Sequence, residues 1–181
     1  MAANRSKKQF RKECLKRLWR ASSTNRFKRD RLVLAKLYKM IEADNARNIM
    51  LYLPLRMEVD VAPLLKRLRR QKRNVYVPFM EGKSFRLVKY RYPLEKKQFG
   101  VKEPKYSRGY RRKEIDIAIV PIVGVDRTYR RIGFGKGMYD RFFEKEIKNI
   151  KNIVFIARAL CYTNEVITDY HDVKADYIVV P

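Results

Sequence analysis

Hydrophobic positions near the start of the chain repeat at helical spacing. Phe10, Cys14 and Leu18 recur every four residues in an otherwise cationic stretch, which predicts an amphipathic helix. A second pattern of the same period follows and ends near Ile41. We therefore expect two basic helices in an N-terminal helical segment, residues 1–44.

The next part of the chain alternates short apolar runs with one helical run. "NIMLYLPL" (48–55) and "NVYVPFM" (74–80) have the length of strands, and "VAPLLKRLRRQ" (61–71) between them has helical spacing. A strand, a helix and a strand within about 30 residues form a βαβ unit, which implies a parallel sheet. "SFRLVKY" (84–90) alternates in polarity and is predicted to pair at the side of that sheet.

The last third of the chain repeats this alternation. "IDIAIVPIVGV" (115–125) is the most continuous apolar run, as expected of a strand buried on both faces. A helical pattern begins near Met138, and "IVFIARAL" (153–160) and "ADYIVVP" (175–181) are predicted strands. The whole pattern predicts one α/β domain, residues 1–181, whose mainly parallel sheet is flanked by helices in three layers.

Residues 91–113 show neither the spacing of a helix nor the alternation of a strand, and they contain several prolines and glycines. A loop of this length in a compact domain is usually a lid, a binding segment or a mobile strap. Its end, "KYSRGYRRK" (105–113), interleaves arginine with tyrosine. That composition fits stacking on nucleic-acid bases, and it fits a strap over a ligand equally well.

The chain carries a net charge of +25, with 44 Lys and Arg against 19 Asp and Glu. This balance favours a polyanionic partner, because neutralising phosphates releases their counterions. A generally basic, solvated surface explains the charge equally well. With 46% hydrophobic residues, the chain is expected to fold rather than to behave as a disordered polyelectrolyte.

Cysteine and histidine are scarce, since Cys14, Cys161 and His171 are the only ones. Their spacing fits no standard zinc site, and we expect both thiols to be reduced. No apolar run approaches the roughly 18 residues of a membrane span, and the first residues lack the apolar core of a signal peptide. The sequence therefore predicts a cytoplasmic protein that does not associate with membranes.

Three glycines alternate in "RRIGFGKGMYDRFF" (130–143), between a predicted buried strand and a predicted helix. Glycine allows the backbone to approach a ligand closely, and consecutive N–H groups at a helix start favour an anion. Lys136 adds a positive charge, and Asp140 could hold Mg²⁺ through water. The spacing is neither a Walker A motif nor GxGxxG, so spacing alone supports a phosphate site and a structural turn about equally.

The longer stretch "IVPIVGVDRTYRRIGFGKGMYDRFF" (119–143) resembles the signature of the 5-formyltetrahydrofolate cyclo-ligase family, also called methenyltetrahydrofolate synthetases. Other motifs of that family follow in the same order: K-x-x-x-R at Lys7 and Arg11, a strand with Leu53 followed by E-x-[DE] at Glu58 and Asp60, G-[VI]-x-E-P in "GVKEP" (100–104), and D-x-x-x-D in "HDVKAD" (171–176). The resemblance covers essentially the whole chain. It implies a Rossmann-like, CoA transferase-like three-layer fold.

The resemblance also implies an activity: conversion of 5-formyltetrahydrofolate into 5,10-methenyltetrahydrofolate with ATP and Mg²⁺. Phosphoryl transfer to the formyl oxygen precedes attack by the folate N10 and loss of phosphate, so the protein mainly positions the reactants and neutralises charge. The implied partners are ATP and a folate that can carry a polyglutamate tail, and a monomer is expected. Two alternatives stay open: a basic nucleic-acid-binding protein, and a relative that binds nucleotide or folate without turnover.

Carried over residue by residue, the resemblance assigns three groups of side chains. ATP would contact Lys7, Arg11, Arg131, Gly133, Phe134, Gly135, Lys136, Gly137, Met138 and Tyr139. Arg131 and Lys136 are the catalytic candidates, with Lys136 nearest the transferred phosphate. Leu53, Glu58 and Tyr139 would face the folate. Asp140 and Asp172 would hold Mg²⁺.

Two positions depart from the family pattern. Met138 stands where the family has tyrosine, so a flexible apolar contact replaces a ring. "RTYR" (127–130) replaces a turn that usually contains glycine. His171, next to Asp172, is interpreted as an exposed loop residue rather than as part of the site.

Overall fold

The structure is a computed structural model that describes residues 6–96, 102–105 and 114–181. Its helices are α1 (Lys7–Ser23), α2 (Arg26–Ala43), α3 (Ala62–Arg70) and α4 (Met138–Glu146), and a 3₁₀ turn, Ile147–Asn149, follows α4. The strands are β1 (Asn48–Met50), β2 (Asn74–Glu81), β3 (Ser84–Lys89), β4 (Leu94–Lys96), β5 (Lys102–Pro104), β6 (Ile115–Pro121), β7 (Gly124–Asp126), β8 (Arg131–Ile132), β9 (Ile150–Ile156), β10 (Tyr162–Thr163) and β11 (Tyr177–Val179).

A six-stranded sheet with the order β11-β9-β6-β1-β2-β3 forms the centre of the fold. Every neighbouring pair in it is parallel except β2 and β3, which are antiparallel. Ile49 in the middle of β1 lies opposite Val75 of β2 and Ile117 of β6. The predicted βαβ unit, the mainly parallel sheet and the lateral position of residues 84–90 are thus confirmed.

Helices cover both faces of this sheet. Ile117 and Ile119 of β6 belong to the core shared with α2 and α3, whereas Ala118 and Val120 belong to the core shared with α1 and α4. Side chains alternate along a strand, so a central strand with helices on both faces needs apolar residues throughout. The three-layer α/β architecture is confirmed. That residues 1–181 form a single domain stays a prediction.

The run 115–125 was expected to form one strand, and that expectation is wrong. β6 ends at Pro121, and β7 pairs instead with β8 and β10 in a separate three-stranded sheet. Pro121 has no N–H to donate, and the next two donors, Ile122 and Val123, bond to the carbonyl oxygens of two different elements, β9 and β8. The apolar character continues through the break, so periodicity alone did not reveal it.

Two other expectations were too simple. The predicted strand 48–55 is shorter, since β1 ends at Met50. Within residues 91–113, β4 and β5 pair as a small antiparallel sheet. The predicted strap "KYSRGYRRK" lies outside the described residues from position 106 onward. Across the three described ranges, no helix is long and apolar enough to cross a membrane.

Cys14 and Cys161 form a disulfide, so the expectation of two reduced thiols is wrong. Cys14 lies with Phe10 and Leu18 on the buried stripe of α1, and Cys161 immediately precedes β10. The two Cα atoms are 5.6 Å apart although 147 residues separate them along the chain. Only the packing of α1 on the sheet brings the two thiols together, and no spacing rule could report that.

The disulfide should contribute measurably to stability. Reduction should lower the free energy of unfolding by about 3 kcal/mol, because the bond restricts a long loop of the unfolded chain. Thermal unfolding with and without dithiothreitol measures this loss, and thiol labelling confirms that reduction is complete. Cys14→Ser is the control, because its midpoint should be low and insensitive to reductant. An unchanged midpoint in fully reduced wild-type protein would contradict the prediction.

Candidate functional site

A cavity of about 380 Å³ opens at the edge of the sheet where β1, β2 and β6 end. The order of strands reverses between β1 and β6, and such a point is where an open α/β sheet usually binds its ligand. Every candidate residue named from the sequence lines this cavity. The structure therefore brings these residues together, while their individual roles stay predictions. Leu55, Pro78, Met80, Phe85 and His171 complete the lining, and none was a candidate from the sequence.

Helix α1 brings Lys7 and Arg11 to one side of the cavity. They lie one turn apart and so share a face of the helix. Ser6 and Gln9 form a capping box at the helix start, which fixes the first turn beneath Lys7. The Arg11 Nε donates a hydrogen bond to the carbonyl oxygen of Gly133, at 2.8 Å. That bond joins the first helix to the glycine loop.

Arg131 is a buried cation beneath the glycine loop. Its Nε donates to the carbonyl oxygen of Pro121 at 3.2 Å, and its guanidinium carbon lies 4.5 Å from the centre of the Tyr139 ring. A Cβ on Gly133 would lie 2.4 Å from the Arg131 Nη1, so any other residue at this position would displace the Arg131 guanidinium. Gly135 has a φ of 89°, which other residues rarely adopt.

Arg141, near the start of α4, binds the backbone of the glycine loop. Arg141 Nη2 donates to the Lys136 carbonyl oxygen at 2.6 Å. Its Nε donates to the Lys83 carbonyl oxygen, at 2.7 Å, in the turn between β2 and β3. Arg141 was missed from the sequence, although its place one helical turn after Gly137 was a usable signal. The side chain of Lys136 is exposed at the mouth of the cavity.

One carboxylate oxygen of Asp140 has no hydrogen-bond donor among the described residues. Its Oδ1 is buried and accepts no hydrogen bond in the described part of the chain. The Arg131 Nη1 is 4.0 Å from that oxygen, too far for a hydrogen bond. Burial lowers the pKa of Arg131, and the negative charge of Asp140 opposes that shift. A cation or a hydrated cation would satisfy this oxygen.

Asp172 has closer partners than Asp140. Its Oδ2 accepts the Asp169 N–H at 2.7 Å and forms an ion pair with Lys7, which also lies 3.3 Å from Asp169. Asp169, His171 and Asp172 place three potential metal-binding atoms within 4.8 Å of one another, and Asp140 is not in this group. The side chain of His171 is exposed, as interpreted, yet it also lines the cavity.

Asp126 holds the segment that leads to Asp172. Its buried carboxylate accepts N–H and hydroxyl hydrogen bonds from Thr128, at 2.9 and 2.5 Å, and from Thr168, at 3.0 and 2.6 Å. Burial alone would raise the pKa of Asp126, but these bonds outweigh it and lower the pKa to about 2. Tyr129 completes the turn with a φ of 58° and thus adopts the left-handed conformation that favours glycine.

Glu58 lies at the opposite side of the cavity, in the segment after β1. Its Oε2 accepts the Leu55 N–H at 2.8 Å, and its Oε1 accepts no hydrogen bond from the residues that the structure describes. Burial raises the pKa of the Glu58 carboxyl to about 7, although the Leu55 N–H and the charges of Arg131 and Arg158 oppose the shift. A ligand that donates hydrogen bonds would stabilise the ionised form.

An apolar wall joins the two sides. Phe85 meets the Tyr139 ring edge to face, with 5.0 Å between ring centroids, and stacks on Phe142 at 4.5 Å. Phe85 was missed because it comes from β3, a strand at the sheet edge whose alternation predicts only one buried face. Leu53 and Met138 also line the cavity. The site thus offers cations, an apolar surface and the carboxylates of Glu58, Asp140 and Asp172, which together fit a ligand with an anionic part, an aromatic part and groups that donate hydrogen bonds.

The comparisons with known proteins agree on one family. The sequence model of the 5-formyltetrahydrofolate cyclo-ligase family matches residues 3–181. A 5-formyltetrahydrofolate cyclo-ligase of Haemophilus influenzae is 34% identical over 130 residues, which covers 68% of this chain and 67% of that protein. The enzyme of the same name from Mus musculus is 23% identical, and the match covers 99% of this chain and 95% of that protein.

Solved structures show the same fold. The 5,10-methenyltetrahydrofolate synthetase of Aquifex aeolicus is 28% identical with a TM-score of 0.75, and the match covers 96% of this chain and 88% of that one. The enzyme from Mycoplasma pneumoniae is 21% identical with a TM-score of 0.70, covering 97% and 99%. The similarity to the latter supports the fold alone.

The raised pKa of Glu58 predicts a pH-dependent cost to stability. Because the folded-state pKa of about 7 exceeds the ordinary value of 4.5, the folded protein favours the protonated carboxyl, and this contribution is lost as the pH rises through 7. Glu58→Gln should therefore be more stable than wild type by about 2 kcal/mol at pH 8, with the difference nearly gone at pH 4.

Urea unfolding of both proteins between pH 4 and pH 8 measures this difference. Glu144→Gln, at an exposed position of α4, is the matched control for the change of side chain. A difference between wild type and Glu58→Gln that does not change with pH would contradict the assignment.

Proposed function

This chain belongs to the 5-formyltetrahydrofolate cyclo-ligase family, and from that membership we propose that it converts 5-formyltetrahydrofolate into 5,10-methenyltetrahydrofolate. The proposed reaction consumes ATP in the presence of Mg²⁺ and releases ADP and phosphate. The observation that supports it best is a single cavity that joins the glycine loop and its cations to Glu58 and an aromatic wall.

The glycine loop has the properties of a phosphate site. Lys7, Arg11, Arg131 and Lys136 line the same end of the cavity, where α4 also begins. The positive end of the helix dipole and the backbone N–H groups of the loop favour an anion there. Gly133 leaves no side chain between Arg131 and a ligand above the loop. These residues fit the triphosphate of ATP.

The acidic side chains fit Mg²⁺ in unequal ways. Asp140 has a buried oxygen without a hydrogen-bond donor, which suits a metal ion or one of its water ligands. The Oδ2 of Asp172 already contacts Lys7, so Asp172 binds a metal either through its other carboxylate oxygen or after that ion pair opens. When bound, Mg²⁺ would neutralise phosphate charge at this end of the cavity.

The rest of the chain's task is to position the folate. An N-formyl oxygen is a poor leaving group until it is phosphorylated, and ATP supplies that activation. Glu58 would accept hydrogen bonds from the amino and ring N–H groups of the pterin, and Tyr139 and Leu53 would cover its faces. Arg131 lies between the two halves, with the Tyr139 ring on one side and the loop on the other. Its charge is therefore placed to stabilise the phosphoryl group in transfer.

The test of the proposed activity is an absorbance assay for the methenyl product. Purified protein should convert 5-formyltetrahydrofolate only when both ATP and Mg²⁺ are present. A flat trace with folded protein that still binds folate would point to a relative without turnover. A flat trace with neither folate nor ATP binding would refute the assignment.

Lys136→Ala should lower the turnover number at least about a hundredfold, because it removes a positive charge next to the transferred phosphate. Single-turnover rates at saturating ATP measure the loss. Lys145→Ala removes another exposed lysine, from α4 and outside the cavity lining, and serves as control. A rate near that of wild type in Lys136→Ala would rule out the role proposed for this lysine.

Asp172→Asn should raise the Mg²⁺ concentration for half-maximal rate by about tenfold, because an amide is a weaker metal ligand than a carboxylate. The affinity for folate should change little. The same titration with Asp44→Asn, an exposed position after α2, controls for the loss of a negative charge. An unchanged Mg²⁺ requirement would show that Asp172 is not a ligand.

A further inference from the structure

A buried ion pair lies behind Glu58, outside the cavity. The Arg158 Nε and Nη2 donate to the two carboxylate oxygens of Asp30, at 2.6 and 2.8 Å. The side chains of Asp30 and Arg158 are only 8% and 3% exposed. Asp30 belongs to α2 and Arg158 follows β9, so the pair connects parts of the chain 128 residues apart.

This pair also bonds to the backbone on both sides of Glu58. The Arg158 Nη1 donates to the Arg56 carbonyl oxygen at 2.9 Å. On the other side, the Asp60 N–H donates to the Asp30 Oδ2 at 3.2 Å. Arg56 and Asp60 are each two residues from Glu58. The pair therefore fixes the segment before and after the carboxylate.

The Val59 side chain of this segment is buried in the core, and the Arg56 guanidinium lies over the Trp19 ring of α1, but the other hydrogen bonds of the segment are local. The Tyr52 hydroxyl donates to the Val59 carbonyl oxygen at 2.7 Å, and Glu58 and Leu55 bond to each other within the turn. These bonds shape the turn, but all of them come from residues 52–59. The described hydrogen bonds that tie its backbone to distant elements are those of Asp30 and Arg158.

We infer that Asp30 and Arg158 are positioning residues that orient Glu58 toward the pterin ring of the substrate. This inference rests on the proposed function for the identity of the ligand. Neither side chain lines the cavity, so neither contacts the folate itself. They hold Glu58 through the backbone at Arg56 and Asp60, in addition to the direct effect of the Arg158 charge, which lowers the pKa of Glu58.

The chemistry of the pair favours this role over a purely stabilising one. Replacing a buried ion pair by apolar side chains of similar volume is often neutral for stability, whereas removing one partner is costly. Apolar side chains would fill the same space but could bond neither the Arg56 carbonyl nor the Asp60 N–H. Unlike apolar packing, this pair forms hydrogen bonds that fix the orientation of the backbone around Glu58.

The test variant is Asp30→Leu/Arg158→Met, which removes both charges and leaves apolar side chains in their place. We expect the KM for 5-formyltetrahydrofolate to rise by about tenfold or more, because a small displacement of a binding group is expensive. The KM for ATP should change by less than about threefold. Arg158→Lys, which keeps the positive charge but not the fork of donors, should fold and give a smaller rise in the same direction.

The control is Glu42→Leu/Arg73→Met, which makes the same kind of change at a more exposed ion pair, with Glu42 39% and Arg73 13% exposed. In wild type, Arg73 pairs with Glu42 at 2.7 Å and also donates to backbone carbonyl oxygens, at Ile41 and Ala46, away from the cavity. This control should leave the KM for folate within about twofold of wild type. An equal rise in the KM for folate in test and control variants would overturn the inference.

A double-mutant cycle with Glu58→Gln separates positioning from general loosening. If the pair acts through Glu58, adding Asp30→Leu/Arg158→Met to Glu58→Gln should cost little more than Glu58→Gln alone. If the increases in KM from the two changes simply multiply, the inference is overturned.

Amide hydrogen exchange at Asp60 supplies a readout that does not depend on the substrate, and the test variant should exchange faster there. An unchanged exchange rate would equally overturn the inference. Absence of folate binding in wild type would refute the proposed function instead, and the exchange rates would still decide whether the pair holds the turn.

Discussion

The buried positive charge of Arg131 is the interaction on which the site depends. A buried guanidinium is costly unless nearby anions and acceptors compensate it. Here the Pro121 carbonyl at the end of β6, the Tyr139 ring and the more distant Asp140 carboxylate surround it. Because Arg131 needs all of these neighbours, its position fixes the glycine loop above it against the end of the central sheet. The absence of a side chain at Gly133 leaves the same charge accessible to a ligand.

Acidic side chains that line the cavity offset the positive charge of Arg131, and these side chains still have oxygen atoms without hydrogen-bond partners among the described residues. The negative charges of Glu58 and Asp172 also act on Arg131, because both raise the pKa that burial lowers. Lys7 meanwhile pairs with Asp172. In the proposed function, a nucleotide with its metal brings both negative and positive charge to this end of the cavity. Lys7 and Asp172 could then exchange their mutual contact for contacts with phosphate and metal, so binding would not leave either group buried and unpaired.

Most of the fold could be predicted from periodicity, and its breaks could not. The βαβ unit and the edge strand follow from local apolar patterns that agree with the tertiary packing. The end of β6 at Pro121 could not be predicted in this way, because apolar residues continue beyond it into a different sheet. The Cys14–Cys161 disulfide was also missed, because it depends on where α1 packs and not on any local spacing. The left-handed conformation of Tyr129 is imposed by the turn at Asp126, against the preference of a bulky residue.

Most residues that line the cavity could be predicted from the sequence, for a reason that does not apply to Asp30 and Arg158 behind it. Lys7, Glu58 and the glycine loop lie in short motifs, because residues that meet one ligand can be recognised as a set. Asp30 and Arg158 belong to no such motif, and Asp30 lies within an amphipathic helix where periodicity predicts an apolar residue. A charged residue at a buried helical position is itself a local signal, since it must have a partner. Only the structure identifies that partner and shows that the two together hold the backbone around Glu58. The side chains that define the chemistry are therefore readable from the sequence, whereas those that aim them depend on distant contacts.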